Sequence, residues 1–105
     1  MQRIAFKMKL KPEKVEEYIE AHQHVPSDLI DLYHSAGIRN LTVFLRGSEL
    51  FLSLQCDDFQ AAQRRFENHP AEKRWQAQMA ELMDTDSDLQ PGEELAFFRE
   101  VFHMD

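Results

Sequence analysis

The chain is short of cysteine and glycine and has no long apolar run, and each shortage excludes a class of protein. Cys56 is the only cysteine among the 105 residues, so no internal disulfide can form, which fits a reducing cytoplasm. The three glycines form no glycine-rich phosphate loop. No segment approaches the roughly 20 apolar residues that span a bilayer, and the N-terminus lacks the apolar run of a signal peptide. We therefore expect a soluble, cytoplasmic protein that needs no nucleotide cofactor.

Positive charge is also scarce. The chain has 12 Lys and Arg residues against 19 Asp and Glu residues, for a net charge of -7, and the basic residues are scattered. This balance opposes binding to nucleic acid or to an anionic membrane surface. The five histidines do not fall into a metal-ligand spacing with cysteine. We expect no metal, no nucleic-acid partner and no membrane partner, which leaves small neutral ligands.

The length suits one compact domain over residues 1–105. Apolar residues alternate with other residues over positions 4–10, which predicts an opening strand. Pro12 ends this strand and suits the first turn of a helix, and Pro26 interrupts that helix because proline lacks a backbone donor. Ser27 is predicted to cap a second helical segment that ends at Gly37.

The remaining residues predict two strands, a pair of helices and a last strand. Two strands over residues 38–46 and 49–56 are joined by a tight turn. Asp57 or Asp58 is predicted to cap a helix with Phe59, Ala62 and Phe66 on its inner side, and the helix that starts at Pro70 is expected to reach about Met83. An exposed loop over residues 84–92 precedes a last strand from Leu95 to His103. The order is strand, helix, strand, strand, helix pair, strand. It predicts an α+β fold of the ferredoxin-like split βαβ type, with an antiparallel sheet that carries its helices on one face.

The last predicted strand has apolar residues on both faces. Phe97 and Phe98 are neighbours, so they point to opposite faces of the sheet. Because only one face packs against helices, the other face needs a cover. We expect a homodimer with sheets packed face to face in a dimeric α/β barrel-like assembly. Core packing on both sides within one chain is the alternative.

Tyr18 and His22 are the residues best suited to chemistry. Their separation of four residues stacks a phenol and an imidazole on one helix face. Histidine moves protons near neutral pH, and tyrosine can orient or share the same proton. The spacing predicts an acid/base site beside the helix break at Pro26. An ordinary amphipathic helix has the same spacing, so simple packing is the alternative.

Four segments resemble the L-rhamnose mutarotase family: RIAFKMKLKPEKVEEYIEAH, GIRNLTVFL, RWQAQM and EVFHMD. Their order and spacing extend the resemblance over nearly the whole chain. The resemblance implies a dimeric ferredoxin-like enzyme that interconverts the α and β anomers of a 6-deoxy sugar without metal or cofactor. It implies that His22 is the proton donor, that Tyr18 binds the substrate, and that Trp75 is the first of an adjacent tryptophan pair.

Two positions depart from the family pattern. Leu41 stands where the family usually has a sugar-binding tyrosine, and Gln76 stands where the second tryptophan is usual. Loss of the phenol removes a hydrogen bond to a sugar hydroxyl, and loss of the indole removes an aromatic plane, whereas Gln76 adds a donor and an acceptor. We therefore expect the protein to exchange anomers but to contact the sugar differently at these two positions. L-fucose is a second substrate to test besides L-rhamnose.

Opening a pyranose requires a proton on the ring oxygen and removal of a proton from the anomeric hydroxyl. We expect His22 to protonate the ring oxygen, Tyr18 to position it or the sugar, and Trp75 to serve as an apolar platform. His24 and His103 are the candidates for the second proton group. A solvated position at the helix end is the alternative for His24, and packing at the strand end is the alternative for His103.

Two other function classes are consistent with these patterns. The changes at Leu41 and Gln76 suit a non-catalytic sugar-binding module, which would bind sugars without speeding the exchange of their anomers. The fold alone suits another dimeric ferredoxin-like protein, such as a small oxygenase or a heme-handling protein, because fold does not determine function. Anomer-exchange measurements distinguish the first class, and absorbance of the purified protein distinguishes the second.

Overall fold

The structure, a computed structural model, describes residues 1–86 and 88–105. The elements follow the order that the sequence predicts, with a short 3₁₀ turn at Pro12–Lys14 and a short strand after the last helix. In chain order they are β1 (Gln2–Leu10), α1 (Val15–Ala21), α2 (Ser27–Ser35), β2 (Arg39–Arg46), β3 (Glu49–Cys56), α3 (Phe59–Phe66), α4 (Pro70–Ala80), β4 (Met83–Asp84) and β5 (Ala96–Phe98).

The strands form one antiparallel sheet in the order β2-β3-β1-β4, and β5 also pairs with β1. Both β1 and β2 are antiparallel to β3, so they run parallel to each other with β3 inserted between them. On the other side of β1, β4 pairs with its last two residues and β5 pairs with Ala5–Lys7. This is the split βαβ arrangement that the sequence predicts.

One face of the sheet forms the core with the helices. Alternate residues of β3, among them Leu50, Leu52 and Leu54, are buried, and Phe6 of β1 lies directly across from Leu52. Burial of each such side chain contributes about 1.5–3 kcal/mol to stability. The helices complete this covered face with a set of buried residues that includes Tyr18, Leu29, Ala62, Ala71, Trp75 and Met79.

The other face, here called the open face, carries Thr42, Phe44, Phe51, Ser53 and Phe98. Thr42 is paired with Ser53 and Phe44 with Phe51, which places these residues on the side away from the helices. The ring centroid of Phe51 lies 6.4 Å from that of Phe44 and 5.4 Å from that of Phe98. Phe44 is 58% exposed, Phe51 40% and Phe98 50%. The open face therefore presents a continuous aromatic surface.

The helix break at Pro26 occurs as predicted, but its capping differs. Helix α1 ends at Ala21 with His22 as its C-terminal cap, and α2 begins at Ser27. Pro26 occupies the cap position of α2 with φ -59 and ψ 138, and no side chain caps this end. The prediction that Ser27 is the cap was wrong, because the extended proline already sets the chain direction and Ser27 is the first helical residue.

The C-terminal elements are shorter than the sequence predicts. Helix α4 ends at Ala80, and Met83 belongs to β4, where it pairs with Leu10. The last strand covers Ala96–Phe98 rather than residues 95–103. Val101 and Phe102 remain largely exposed, so the segment after Phe98 buries little apolar surface within this chain. Part of the predicted loop over residues 84–92 lies outside the described residues, at position 87.

The two helices after β3 are capped by side chains. Asp58 accepts a hydrogen bond from the backbone N–H of Ala61 at 3.1 Å, and His69 Nδ1 accepts one from Ala71 at 3.1 Å. Such caps satisfy backbone donors that the first turn of a helix leaves unpaired. His69 thus has a structural role at the start of the helix that carries Trp75. Within the described part of the chain, each helix is too short or too polar to cross a membrane.

Candidate active site

Tyr18, His22 and Trp75 come together at one end of the covered face. The ring centroids of Tyr18 and His22 lie 4.1 Å apart with an interplanar angle of 33°. Those of His22 and Trp75 lie 5.1 Å apart with an edge-on angle of 77°. Helix α1 supplies the first two side chains from consecutive turns, and α4 supplies the third. The structure therefore brings together three residues that the sequence singles out.

The local backbone explains why His22 differs from its two neighbours. Tyr18 and Trp75 are buried, since both point from their helices toward the sheet. His22 is only partly buried, because it lies at the C-terminal cap of α1 where the chain leaves the helix. Its imidazole is held between two fixed aromatic rings but keeps access to a cleft.

A backbone hydrogen bond determines the tautomer of His22. Nδ1 of His22 lies 2.9 Å from the carbonyl oxygen of Tyr18. A carbonyl oxygen can only accept, so Nδ1 carries the hydrogen and donates it. In the neutral ring the free lone pair is then on Nε2, and in the protonated ring Nε2–H is the available donor. Nε2 is therefore the ring nitrogen of His22 that is available to a ligand.

The phenol of Tyr18 is a hydrogen-bond donor rather than a base. Burial raises the pKa of Tyr18 to about 12, because removal from water disfavours the charged phenolate. At neutral pH the hydroxyl keeps its proton. Tyr18 can thus orient a ligand oxygen or the imidazole beside it, but it does not remove a proton.

The cleft beside these rings lies between α1 and β2 and has a volume of about 210 Å³. This volume is below the range of roughly 300–1,000 Å³ for drug-sized ligands, which suits a single small molecule. Val43 and Leu45 supply an apolar wall from the covered face of β2. The residues that line the cleft are Tyr18, Ile19, His22, Gln23, Val43 and Leu45.

Four of these lining residues were not identified from the sequence. Ile19 on α1 and Gln23 in the turn after it are four residues apart, so helical spacing predicts that they share a face next to that of Tyr18 and His22. Val43 and Leu45 share the covered face of β2. Their alternation was visible in the sequence, but which helix lies over them depends on how the chain folds.

The two positions that depart from the family pattern lie outside this lining. Leu41 is exposed and follows Asn40, which has a positive φ of 54°. The pairing of β2 with β3 shifts register between Arg39 and Thr42, so Leu41 sits in an irregular part of the strand. Gln76 is exposed on α4, directly after Trp75.

The two remaining histidines proposed for the site are not part of the cluster. His24 is exposed in the turn after α1. His103 Nε2 lies 2.8 Å from Asp105 Oδ1, and His103 lines a groove of about 420 Å³ with Thr42 and Ser53. Thr42 faces away from the helices, so this groove belongs to the open face. Within one chain, His22 and His103 lie on opposite sides of the sheet.

One buried charge near the cluster was not anticipated. Glu72 lies on α4, three residues before Trp75, and its side chain is buried. The hydroxyl of Tyr33 on α2 donates to Glu72 Oε1 at 2.5 Å. These two residues are far apart in the chain, so no local spacing signals their contact.

Comparison with known proteins assigns the family. Residues 3–104 match the family model described as L-rhamnose mutarotase. The chain belongs to this family. The L-rhamnose mutarotase of Brucella anthropi is 35% identical over 107 residues, covering 98% of this chain and 96% of that protein. The L-rhamnose mutarotase of Sinorhizobium medicae is 32% identical over 107 residues, covering 99% of each chain.

Solved structures agree with this assignment. The crystal structure of an L-rhamnose mutarotase from Formosa agariphila has a TM-score of 0.78 and 27% identity, and the match covers 100% of both chains. The tetracenomycin F2 cyclase of Streptomyces glaucescens has a TM-score of 0.72 and 16% identity, covering 100% of this chain and 98% of the cyclase. At that identity the cyclase shares the fold alone. The resemblance to the L-rhamnose mutarotase family is thus confirmed, and this chain is a member of an enzyme family.

Proposed function

We propose that the protein is a cytoplasmic enzyme that interconverts the α and β anomers of L-rhamnose by acid/base opening of the sugar ring. The observation that carries this proposal is the Tyr18, His22 and Trp75 cluster beside the cleft, with Nε2 as the free nitrogen of His22. Family membership supports the substrate. L-fucose is the second substrate that we propose, because Leu41 and Gln76 replace two usual sugar contacts.

The proposed reaction moves two protons. Protonated His22 donates the Nε2 proton to the ring oxygen as the bond from that oxygen to the anomeric carbon breaks. The anomeric hydroxyl loses its proton to a second group, which leaves an open-chain aldehyde. The aldehyde rotates and closes from its other face, and both protons return. The protein is unchanged after each cycle.

The surrounding groups position the sugar. The Tyr18 hydroxyl stays protonated and can donate to a sugar oxygen. Trp75 is buried and does not line the cleft within one chain, so we propose that its apolar ring acts by packing edge-on against His22. We propose His24 as the second proton group because it lies in the turn next to His22, although its side chain is exposed and does not line the cleft within one chain. His103 is the less suitable candidate, because it lies across the sheet. General acid/base catalysis of about 10²–10⁴-fold, with positioning, is sufficient for a reaction already measurable without catalyst.

Magnetisation-transfer NMR between the α and β anomer signals tests the proposal. The wild-type protein, treated with chelator, should accelerate exchange in L-rhamnose or L-fucose. His22→Asn and His22→Ala should remove most of the acceleration, because neither side chain can shuttle a proton at neutral pH. His34→Asn is the matched control, since His34 is exposed on α2 away from the cluster.

Two results would contradict this proposal. Full activity in both His22 variants would show that the imidazole is not the acid. Sugar binding detected by saturation-transfer NMR, without any acceleration of exchange by the wild-type protein, would instead support the non-catalytic binding module.

We also propose that the protein is a homodimer whose contact buries the open face. The support is the exposed aromatic surface of Phe44, Phe51 and Phe98. An apolar surface of this kind on a small domain is typical of an interaction site. A symmetric contact between two copies would cover both open faces at once.

A further inference from the structure

The apolar wall of the cleft, formed by Val43 and Leu45, is left partly open by the rest of the chain. These residues lie directly across from Leu52 and Leu50 on the covered face of the sheet, and Leu50 is only 1% exposed. Leu45, by contrast, is 38% exposed, and Val43 is partly buried. Their strand, β2, lies at the edge of the sheet. The covered face therefore ends in two aliphatic side chains that the helices do not fully cover.

The cleft has a polar side and an apolar side. Helix α1 and the turn after it supply the polar groups, which are the Tyr18 hydroxyl, the His22 imidazole and the Gln23 amide. Both lining residues from β2 are aliphatic, and Ile19 adds a third aliphatic side chain. Apolar surface beside water is stabilised when an apolar group covers it. The cleft thus suits a small ligand that has hydroxyls on one side and an alkyl group on the other.

The proposed reaction restricts where a sugar can place such an alkyl group. The ring oxygen of a pyranose is bonded to C1 and C5, and C6 is the substituent on C5. A sugar whose ring oxygen receives the Nε2 proton of His22 therefore holds C6 next to the reacting atoms, in a cleft of about 210 Å³. In a 6-deoxy sugar C6 is a methyl group, whereas in the parent hexose it carries a hydroxyl. A hydroxyl buried against aliphatic side chains loses its hydrogen bonds to water without replacement.

We propose that Val43 and Leu45 are specificity-determining residues, which receive the C6 methyl group and thereby select 6-deoxy sugars over hexoses with a C6 hydroxyl. This inference rests on the proposed function. It is independent of the changes at Leu41 and Gln76, because L-rhamnose and L-fucose both have the methyl group.

Pairs of sugars that differ only at C6 test the inference. L-rhamnose and L-mannose form one pair, and L-fucose and L-galactose form the other. For the pair that contains the preferred sugar, we expect the wild-type kcat/KM to favour the 6-deoxy member by about 10²-fold, the discrimination that an apolar pocket reaches against an added hydroxyl. Exchange NMR measures both members on the same protein sample, so a partial loss of folded protein cancels from the ratio.

Substitutions in the apolar wall should lower this ratio. Val43→Thr keeps the branched shape of the side chain and adds a hydroxyl, and we expect it to lower the ratio about tenfold, the effect of about one hydrogen bond. Leu45→Gln, at the more exposed position, should act in the same direction and replaces Val43→Thr if that variant does not fold. Val101→Thr is the matched control and should keep the wild-type ratio, since Val101 is exposed and does not line the cleft.

Failure of the inference can be told apart from failure of the proposed function. A wild-type protein that binds these sugars without exchanging their anomers contradicts the proposed function, and the same ratios are then taken from Kd. A protein that neither exchanges nor binds them contradicts both. A wild-type ratio near one in an active protein overturns the role of the apolar wall alone, because C6 then lies elsewhere. An unchanged ratio in folded Val43→Thr and Leu45→Gln proteins also overturns it.

Discussion

Both faces of the sheet carry large apolar side chains, yet the helices of the chain cover only one of them. On that face, Leu50 and Leu52 are buried and the aromatic cluster around His22 is held in place. On the open face, Phe44 and Phe51 are exposed. Packed neighbours restrict the rotamers of a side chain. The side chains around His22 are therefore held in one arrangement, whereas the exposed rings of the open face are not packed in this way.

Phe97 and Phe98 allow the two faces to be compared at neighbouring residues. Phe97 contacts Phe6 at 5.6 Å and Phe59 at 6.1 Å between ring centroids, on the covered face. Phe98 contacts Phe51 at 5.4 Å on the open face. Their exposed fractions are similar, 47% and 50%. The same substitution at each position therefore tests what lies against each face.

The largest expected effects come from placing a carboxylate on each face in turn. Phe97→Glu should lower the free energy of unfolding by about 2 kcal/mol or more, because a charge replaces a ring that packs on the core. Phe98→Glu should leave the fold intact and split the dimer. Urea denaturation measures the first effect, and light scattering at tens of micromolar measures the second.

Phe98→Leu, which keeps the open face apolar, serves as the control and should remain dimeric. A wild-type protein that is monomeric at these concentrations would contradict the proposal that the open face is buried in a homodimer. A folded Phe98→Glu protein that remains dimeric would do the same.

An intermediate effect is expected from restoring the two side chains that are usual in the family. Leu41→Tyr with Gln76→Trp should raise activity on L-rhamnose relative to L-fucose, because a phenolic hydrogen bond and a stacking ring together contribute about 1–3 kcal/mol. NMR exchange rates for both sugars provide the ratio. An unchanged ratio in folded protein would show that these positions do not select the sugar.

The smallest effects should come from the histidines outside the cluster. His24→Ala should lower the exchange rate by about tenfold if His24 is the second proton group. His103→Ala should change the rate by less than about twofold, because His103 lies on the open face. The reverse pattern, with a large loss only at His103, would show that the open face contributes to the site. Exchange NMR on both variants at one protein concentration makes the comparison.

Much of the fold was predictable because its signals are local. Alternation in β1 and β3 and the prolines before α1 and α2 are short-range patterns that backbone geometry enforces. The ends of the last helix and strand were not predictable. The spacing of Met83 from Trp75 and Met79 suits one helical face. Met83 instead pairs with Leu10, and this pairing depends on where the tertiary fold places β1.

The candidate site divides in the same way. The sequence by itself determined that Tyr18 and His22 lie together, since a helix places residues four apart on one face whatever surrounds it. Only the tertiary structure decided that Trp75 lies against His22, that Tyr33 meets Glu72, and that His103 lies across the sheet from the cluster. These contacts join residues from different elements, and they depend on which face of each helix and strand the packed core covers.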